Sequence, residues 1–122
     1  MTDNREIQVT DIKGISIGHA SNQDAGTGVT VLYFPNGAKA GCDISGGGPA
    51  SRETPLTSPL TADNPINAIV LSGGSAYGLA ASDGVMTCLE EHGIGYPTGL
   101  ALVPLVCQSC ICLLYTSDAA DE

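Results

Sequence analysis

Apolar residues alternate with small or polar residues near the start of the chain, which indicates a first strand. In the stretch IKGISIGHA, Ile12, Ile15 and Ile17 supply the β-branched character that strands favour. The polar stretch SNQDAGTG then predicts a loop. Residues 29–34, reading VTVLYF, are too apolar for a half-exposed strand and predict a buried one.

The next residues predict a hairpin. Pro35, Asn36 and Gly37 are typical of a turn, because proline restricts φ and Asn-Gly tolerates positive φ. Residues 38–45 are then expected to return as the second arm. Between Ser45 and Asn64, a high content of glycine, proline, serine and threonine predicts a loop, and long loops in compact domains are frequently binding or lid loops.

The second half of the chain predicts a strand, a helix and a further strand. Asn67–Leu71, reading NAIVL, is short and apolar, as expected for a strand buried on both faces. A helical spacing of apolar residues follows, with Ser75 placed to cap the helix and Gly93 just past its end. The stretch GLALVPLV predicts a last strand that is interrupted by Pro104, which implies an edge strand or a bend. These elements together predict the α+β class.

Composition narrows the class of protein and of partner. The chain of 122 residues is 43% hydrophobic and 14% charged, which is typical of one globular domain. Its formal net charge of −9 disfavours nucleic acid and anionic lipid as partners. The N-terminal residues lack the apolar core of a signal peptide, and no stretch has the length of a bilayer span, so the expected location is cytoplasmic.

The segment SGGSAYG lies between the predicted buried strand and the helix. Backbone N–H groups at such a helix start favour a carboxylate or a developing oxyanion, and Gly73, Gly74, Ser75 and Tyr77 are therefore candidate substrate-binding residues. The segment lacks the lysine of a phosphate-binding loop. A second interpretation is a tight turn whose glycines only permit close packing.

Ser75 fits the pattern of a nucleophile elbow imperfectly, because Tyr77 stands where that pattern has its second glycine. A serine nucleophile also requires a base. The two histidines are His19, expected to be a structural hydrogen-bonding residue, and His92, expected to be exposed at the helix end. A helix cap is therefore the favoured role for Ser75.

Arg52 lies in the segment GGGPASRET and is one of four basic residues in the chain. Its guanidinium is suited to a substrate carboxylate, and an ion pair with Glu53 or Asp43 that stabilises the loop is the favoured alternative. Cys107, Cys110 and Cys112 suggest zinc or a redox pair only weakly, because the chain has no second Cys-x-x-Cys or histidine pair to complete a site. No metal and no cofactor are expected.

The blocks SIGHA, AGTGVTV, FPNGAKAGCDISGGGPASRET and AIVLSGGSAYGLAASDGVMTCLEEHGIGY, taken together, resemble the start of the L-aminopeptidase/D-esterase family, which includes the β-peptidyl aminopeptidases. The resemblance implies part of an αββα sandwich similar to N-terminal-nucleophile hydrolases, formed by a precursor that cleaves itself to expose a serine or threonine. It implies hydrolysis of N-terminal residues from small peptides, amides or esters, and a homo-oligomer for the full-length protein. The nucleophile is expected beyond the end of this chain, which alone is expected to be inactive.

The end of the chain departs from the family. CLLYTSDAADE looks like the translation of a transposon adapter used in sequencing libraries, which suggests that residues 1–106 are the N-terminal part of a single peptidase domain and residues 107–122 a non-native tail. Two alternatives remain open at this stage. One is acyl transfer of the ornithine acetyltransferase type, and the other is a non-catalytic module that binds small carboxylates at the glycine-rich turn.

Overall fold

The computed structural model describes residues 4–111, which form one α-helix, three short 3₁₀ helices and seven strands. The strands are β1 (Ser16–Asn22), β2 (Thr27–Ala38), β3 (Ser51–Arg52), β4 (Ile66–Ser72), β5 (Tyr96–Pro97), β6 (Leu102–Val103) and β7 (Val106–Cys110). Helix α1 is Ala81–Glu91, and the 3₁₀ helices are Val9–Asp11, Thr54–Thr57 and Ser75–Ala80. The predicted α+β class is confirmed. None of the helices in this part of the chain is long and apolar enough to cross a bilayer.

Five strands form one mixed sheet in the order β1-β2-β4-β7-β3, and β5 and β6 form a separate antiparallel pair. Strands β4 and β7 are parallel, whereas the other neighbours in the large sheet are antiparallel. A parallel pair cannot be joined by a tight turn and needs a crossover connection. The segment that contains α1 supplies that connection, and it therefore starts and ends at the centre of the sheet.

The predicted hairpin around Pro35–Gly37 is wrong. Strand β2 continues through these residues to Ala38, with a register shift against β4 between Tyr33 and Ala38. Because β1 and β4 already pair with the two edges of β2, no edge is left for a returning arm. The Pro-Asn-Gly sequence instead forms an irregularity of the kind that bends a strand. The tight hairpin of the fold joins β1 to β2 one loop earlier.

Helix α1 covers one face of the sheet. Ala68, Val70 and Val106 on the sheet form a buried cluster with Leu89 of the helix. A second cluster, which contains Phe34, Ile66 and Cys107, includes the partly buried Ile69. Along β4 the side chains alternate between the faces, so that Val70 is 0% exposed and Leu71 is 46% exposed. The prediction that this strand is buried on both faces is therefore wrong for the described residues.

Three local predictions have mixed outcomes. The segment 45–64 is not wholly irregular, because it contains β3 and the 3₁₀ helix Thr54–Thr57. The interruption at Pro104 is confirmed, since this residue lies between β6 and β7, which belong to different sheets. Gly93, with a φ of 73°, adopts the left-handed conformation expected just after a helix.

Strand β7 begins at Val106, the last residue of the segment 1–106 that the sequence predicts to belong to the peptidase domain. Residues 106–110 pair with β4 on one side, and two of them pair with β3 on the other. The adapter-like residues Cys112–Glu122 lie outside the described residues. The boundary between residues 106 and 107 stays a prediction.

Candidate functional site

The glycine-rich turn follows β4 at the centre of the sheet. Gly74 has a φ of 91° and Ser75 a φ of 55°, so two consecutive residues adopt the left-handed conformation. A 3₁₀ helix, Ser75–Ala80, then leads into α1. At position 73 an added Cβ would lie 2.7 Å from the hydroxyl oxygen of Thr27, so any larger residue there would force that side chain to shift. The strand, turn and helix predicted from the sequence are therefore present.

Two backbone N–H groups of this turn donate hydrogen bonds to other backbone groups of the protein. The Gly73 N–H donates to the carbonyl oxygen of Gly28 at 3.0 Å, and the Ser75 N–H donates to the carbonyl oxygen of Ile111 at 3.0 Å. An anion at the turn would need donors other than these two. The close contact between the turn and β2 agrees with the interpretation that the glycines permit tight packing, and substrate binding by Gly73, Gly74 and Ser75 stays a prediction.

Ser75 does not cap helix α1, and this prediction is wrong. The α-helix begins at Ala81, its N-cap residue is Ala80, and no side chain caps it. Ser75 is instead the first residue of the preceding 3₁₀ helix, whose N-cap is Gly74. The helical spacing of apolar residues did not reveal this tighter first segment, because a 3₁₀ turn and an α-helical turn place similar residues on one face.

Tyr77 lies in the 3₁₀ helix that follows the turn, and the residue is 84% exposed. Together with Gly73, Gly74 and Ala20 it borders a cavity of about 460 Å³. A larger cavity of about 920 Å³ adjoins it, bordered by the start of β2, the turn and the end of β7. Among the described residues, no aspartate, glutamate, lysine, arginine or histidine borders either cavity, and Ser21, Asn22 and Gln23 provide neutral polar groups to the larger one.

Arg52 does not point into these cavities. Its guanidinium forms an ion pair with Asp83 of α1 at 2.6 Å, and also contacts the carbonyl oxygen of Leu79 at 3.4 Å and the sulfur of Met86 at 3.5 Å. The favoured prediction of a structural pair is borne out, but the predicted partners, Glu53 and Asp43, are wrong. The partner lies far away in the sequence, which is why local spacing did not identify it.

We predict that the Arg52–Asp83 pair contributes only modestly to stability. Side chains that are 31% and 71% exposed are well solvated, and ion pairs of this kind contribute about 0.5 to 1 kcal/mol. A double-mutant cycle of Arg52→Ala and Asp83→Ala, measured by urea unfolding, should give a coupling energy in this range. A coupling energy near zero would contradict the interpretation of Arg52 as the residue that fixes β3 to the helix.

A buried polar cluster lies beneath the turn. The Gln108 amide nitrogen donates to the Ser72 hydroxyl at 2.8 Å and to the Gly78 carbonyl at 2.7 Å, and its amide oxygen accepts from the Ser82 hydroxyl at 2.5 Å. Gln108 is 4% exposed and Ser82 is 0% exposed. Buried amides of this kind need such partners. The cluster links β7, the turn and α1, and sequence analysis missed it because its members are distant along the chain.

Cys107 and Cys110, the two described residues of the predicted cysteine group, do not lie together, and Cys112 lies outside the described residues. Cys107 donates to the carbonyl oxygen of Glu53, whereas Cys110 contacts the Ser72 hydroxyl, and both are buried. Residues three apart on a strand point to opposite faces, so the Cys-x-x-Cys spacing separates these two thiols. Burial, the Glu53 carboxylate and the nearby Cys42 thiol raise the pKa of Cys107 above its usual 9.0. Among residues 4–111, no three metal-binding side chains cluster together.

The histidines lie where the sequence predicts. His19 shares a hydrogen bond with the Thr30 hydroxyl at 2.8 Å across β1 and β2. His92 is exposed at the end of α1, where its ring nitrogen lies 2.7 Å from the Cys88 carbonyl oxygen.

Residues 8–120 match the sequence profile of peptidase family S58. The chain belongs to this family. The resemblance identified from the glycine-rich blocks is therefore confirmed at the level of the family.

Named relatives of this S58 chain are hydrolases. It is 42% identical, over 106 residues, to an uncharacterized aminopeptidase of Mycobacterium tuberculosis (strain ATCC 25618 / H37Rv), a match that covers 80% of this chain and 31% of the relative. It is 37% identical, over 108 residues, to a 6-aminohexanoate-oligomer endohydrolase of Agromyces sp. (strain KY5R), covering 88% and 28%. The chain thus spans about a third of the length of these relatives.

The names of both relatives are those of hydrolases. They lend no support to acyl transfer of the ornithine acetyltransferase type, nor to a non-catalytic carboxylate-binding module.

Proposed function

We propose that this chain is the N-terminal part of an autoprocessing serine/threonine aminopeptidase, which releases N-terminal residues from peptides, amides or esters. The observation that carries the proposal is the match to family S58, together with 42% identity to an aminopeptidase over 106 residues. The name of the Agromyces relative, a 6-aminohexanoate-oligomer endohydrolase, extends the proposed substrates to 6-aminohexanoate oligomers.

The proposed fold is an αββα sandwich, of which residues 4–111 contribute one sheet and the helix that covers it. Its support is the asymmetry of the sheet. One face packs against α1, whereas Leu71, on β4, is 46% exposed. A second sheet would remove such apolar surface from water and so stabilise the fold.

In the proposed mechanism, the precursor cleaves one of its own peptide bonds before a serine or threonine downstream of this chain. The new terminal α-amine takes the proton of that residue's hydroxyl, and the hydroxyl oxygen attacks the substrate carbonyl. The α-ammonium group passes this proton to the leaving amine or alcohol of the substrate as the bond to the acyl group breaks. Water then hydrolyses the acyl-enzyme and releases the N-terminal residue. Backbone or asparagine donors would stabilise the oxyanion. The nucleophile is proposed to lie downstream of this chain, which alone is then expected to be inactive.

Gly73, Gly74 and Tyr77 are proposed to border the substrate, because they lie against the two cavities at the end of β4. Ser75 and Arg52 belong to the same proposal with indirect roles. Ser75 starts the 3₁₀ helix, and Arg52 holds the β3 segment against α1.

The test begins with the source locus, which should be sequenced downstream of the Val106 codon and expressed as a complete gene. We expect the product to split into two polypeptides, the second beginning with serine or threonine, and to hydrolyse leucine p-nitroanilide. Replacing that residue by alanine should abolish both splitting and hydrolysis. An unsplit product that hydrolyses the substrate, or a reading frame with no such residue, would refute the proposal.

A further inference from the structure

The cavity of about 460 Å³ beside Tyr77 lies on the face of the sheet that α1 covers. Its border includes Val29 and Ala81, which both pack against the buried cluster between α1 and the sheet. Leu71 points to the opposite face and does not border it, so the proposed second sheet would leave this cavity open. Its lining lies entirely between residues 20 and 81, and the predicted non-native tail contributes nothing to it. The volume is within the range of about 300 to 1,000 Å³ that is usual for small-molecule sites.

Glycines form much of the wall of this cavity. Gly28, Gly73, Gly74 and Gly78 border it and contribute backbone but no side chain. The Gly28 carbonyl oxygen accepts a hydrogen bond from the Gly73 N–H at 3.0 Å, and the Gly74 carbonyl oxygen accepts one from the Gly78 N–H at 3.2 Å. The Gly78 carbonyl oxygen accepts from the Ser72 hydroxyl at 3.2 Å. A cation in the cavity would therefore compete with the protein's own donors for these oxygens.

The side chains that complete the lining are uncharged. Ala20, Val29 and Ala81 provide apolar groups, and the polar side chains carry only hydroxyl or amide groups. A charged group that enters such a lining loses hydration and gains no opposite charge. An aliphatic group is favoured there, because contact removes apolar surface from water.

We propose that this cavity takes an uncharged aliphatic side chain of the substrate and disfavours a charged one. That the occupant is a substrate side chain rests on the proposed function, through the position of the cavity beside Gly73, Gly74 and Tyr77. The preference for an uncharged group rests on the lining alone. The release of N-terminal residues does not by itself imply such a preference.

Two amino alcohols that differ only at the end of the side chain test this preference. Norleucinol and ornithinol carry the same α-ammonium group and side chains of equal length, which end in a methyl group and in an ammonium group. Neither has a carbonyl group that an enzyme could hydrolyse. Their binding to the protein expressed from the complete gene is measured by isothermal titration calorimetry in about 0.15 M salt, which screens the general attraction of an acidic protein for cations. We expect norleucinol to bind about fourfold more tightly, the factor that corresponds to burying one aliphatic carbon.

Ala20 is the position at which this preference can be changed. It is exposed on β1 and pairs with Val29 across the strands, so a charge placed there borders the cavity without entering the core. Ala20→Asp should abolish the preference, because an exposed ion pair with ornithinol contributes up to about fivefold in affinity. Ala20→Asn, which has the same size without the charge, should keep it. Ala62→Asp, the same change at an exposed alanine outside the lining, should keep it as well.

The proposal is overturned if norleucinol does not bind, if ornithinol binds as tightly to the unaltered protein, if Ala20→Asp keeps the preference, or if Ala62→Asp removes it. Binding of these compounds requires no nucleophile. Failure of the proposed function would instead appear as a gene product that does not split and does not hydrolyse leucine p-nitroanilide. The two failures are therefore distinguishable.

Discussion

Gly78→Ala is expected to lower the free energy of unfolding by about 3 kcal/mol, the upper part of the range for overpacking a tightly packed site. A Cβ at this position would overlap the carbonyl oxygen of Gly73 and lie 3.1 Å from the hydroxyl oxygen of Ser72. The obstacle is backbone, so it cannot rotate away. The turn after β4 or the 3₁₀ helix must therefore move, and urea unfolding of the variant measures the loss.

Gly84→Ala is the matched control for this prediction. Gly84 lies within α1, and a Cβ there would meet nothing within 4 Å. The same change should therefore raise stability by about 0.5 to 1 kcal/mol, because alanine loses less conformational entropy than glycine in a helix. Equal effects at the two positions would show that the close approach of Gly78 to Gly73 does not exist.

Leu89→Ala is expected to lower the free energy of unfolding by about 3 kcal/mol. Leu89 is 8% exposed and is the apolar residue of α1 that belongs to the buried cluster with Ala68, Val70 and Val106. Removing its side chain leaves a cavity between the helix and the centre of the sheet. Alanine is a better helix former than leucine, so the loss can be assigned to packing.

Leu100→Ala is the matched control, because Leu100 is 99% exposed. This substitution should change stability by less than about 0.5 kcal/mol. A comparable loss at both positions, measured by urea unfolding, would contradict the packing of α1 on this face. If Leu89→Ala lowers the free energy of unfolding only slightly, the helix is held mainly by the polar cluster around Gln108.

Gly78→Ala and Leu89→Ala both test how the glycine-rich turn is held in place. Gly78 governs its contact with the end of β4, whereas Leu89 anchors the helix that follows it. If the turn borders the substrate as proposed, both changes should also impair the complete enzyme, since a displaced binding group loses its orientation toward the reacting bond.

Much of the secondary structure follows from the pattern of apolar residues. Strands β1, β2 and β4 and helix α1 occur where alternation, apolar runs and helical spacing predict them, although their bounds differ by a few residues. The end of α1 was also predictable, because Gly93 with a φ of 73° satisfies a local conformational requirement. These features depend on neighbouring residues, which the sequence displays directly.

The wrong predictions share a different origin. Pro35–Gly37 is locally typical of a hairpin turn, but both edges of β2 are occupied by β1 and β4, so the strand continues with an irregularity. Ser75 is locally typical of a cap, but the chain first forms a 3₁₀ helix from Ser75 to Ala80. In both cases contacts with distant strands outweigh the local preference.

By itself, the sequence determined the α+β class, the family and the position of the glycine-rich turn between a strand and a helix. The tertiary structure decided that Arg52 pairs with Asp83, that Gln108 joins Ser72 and Ser82, and that uncharged residues border the cavity beside Tyr77. The physical reason is the range of the interactions. Local patterns encode backbone conformation, whereas ion pairs, buried hydrogen bonds and cavities depend on residues that only folding brings within a few ångströms of each other.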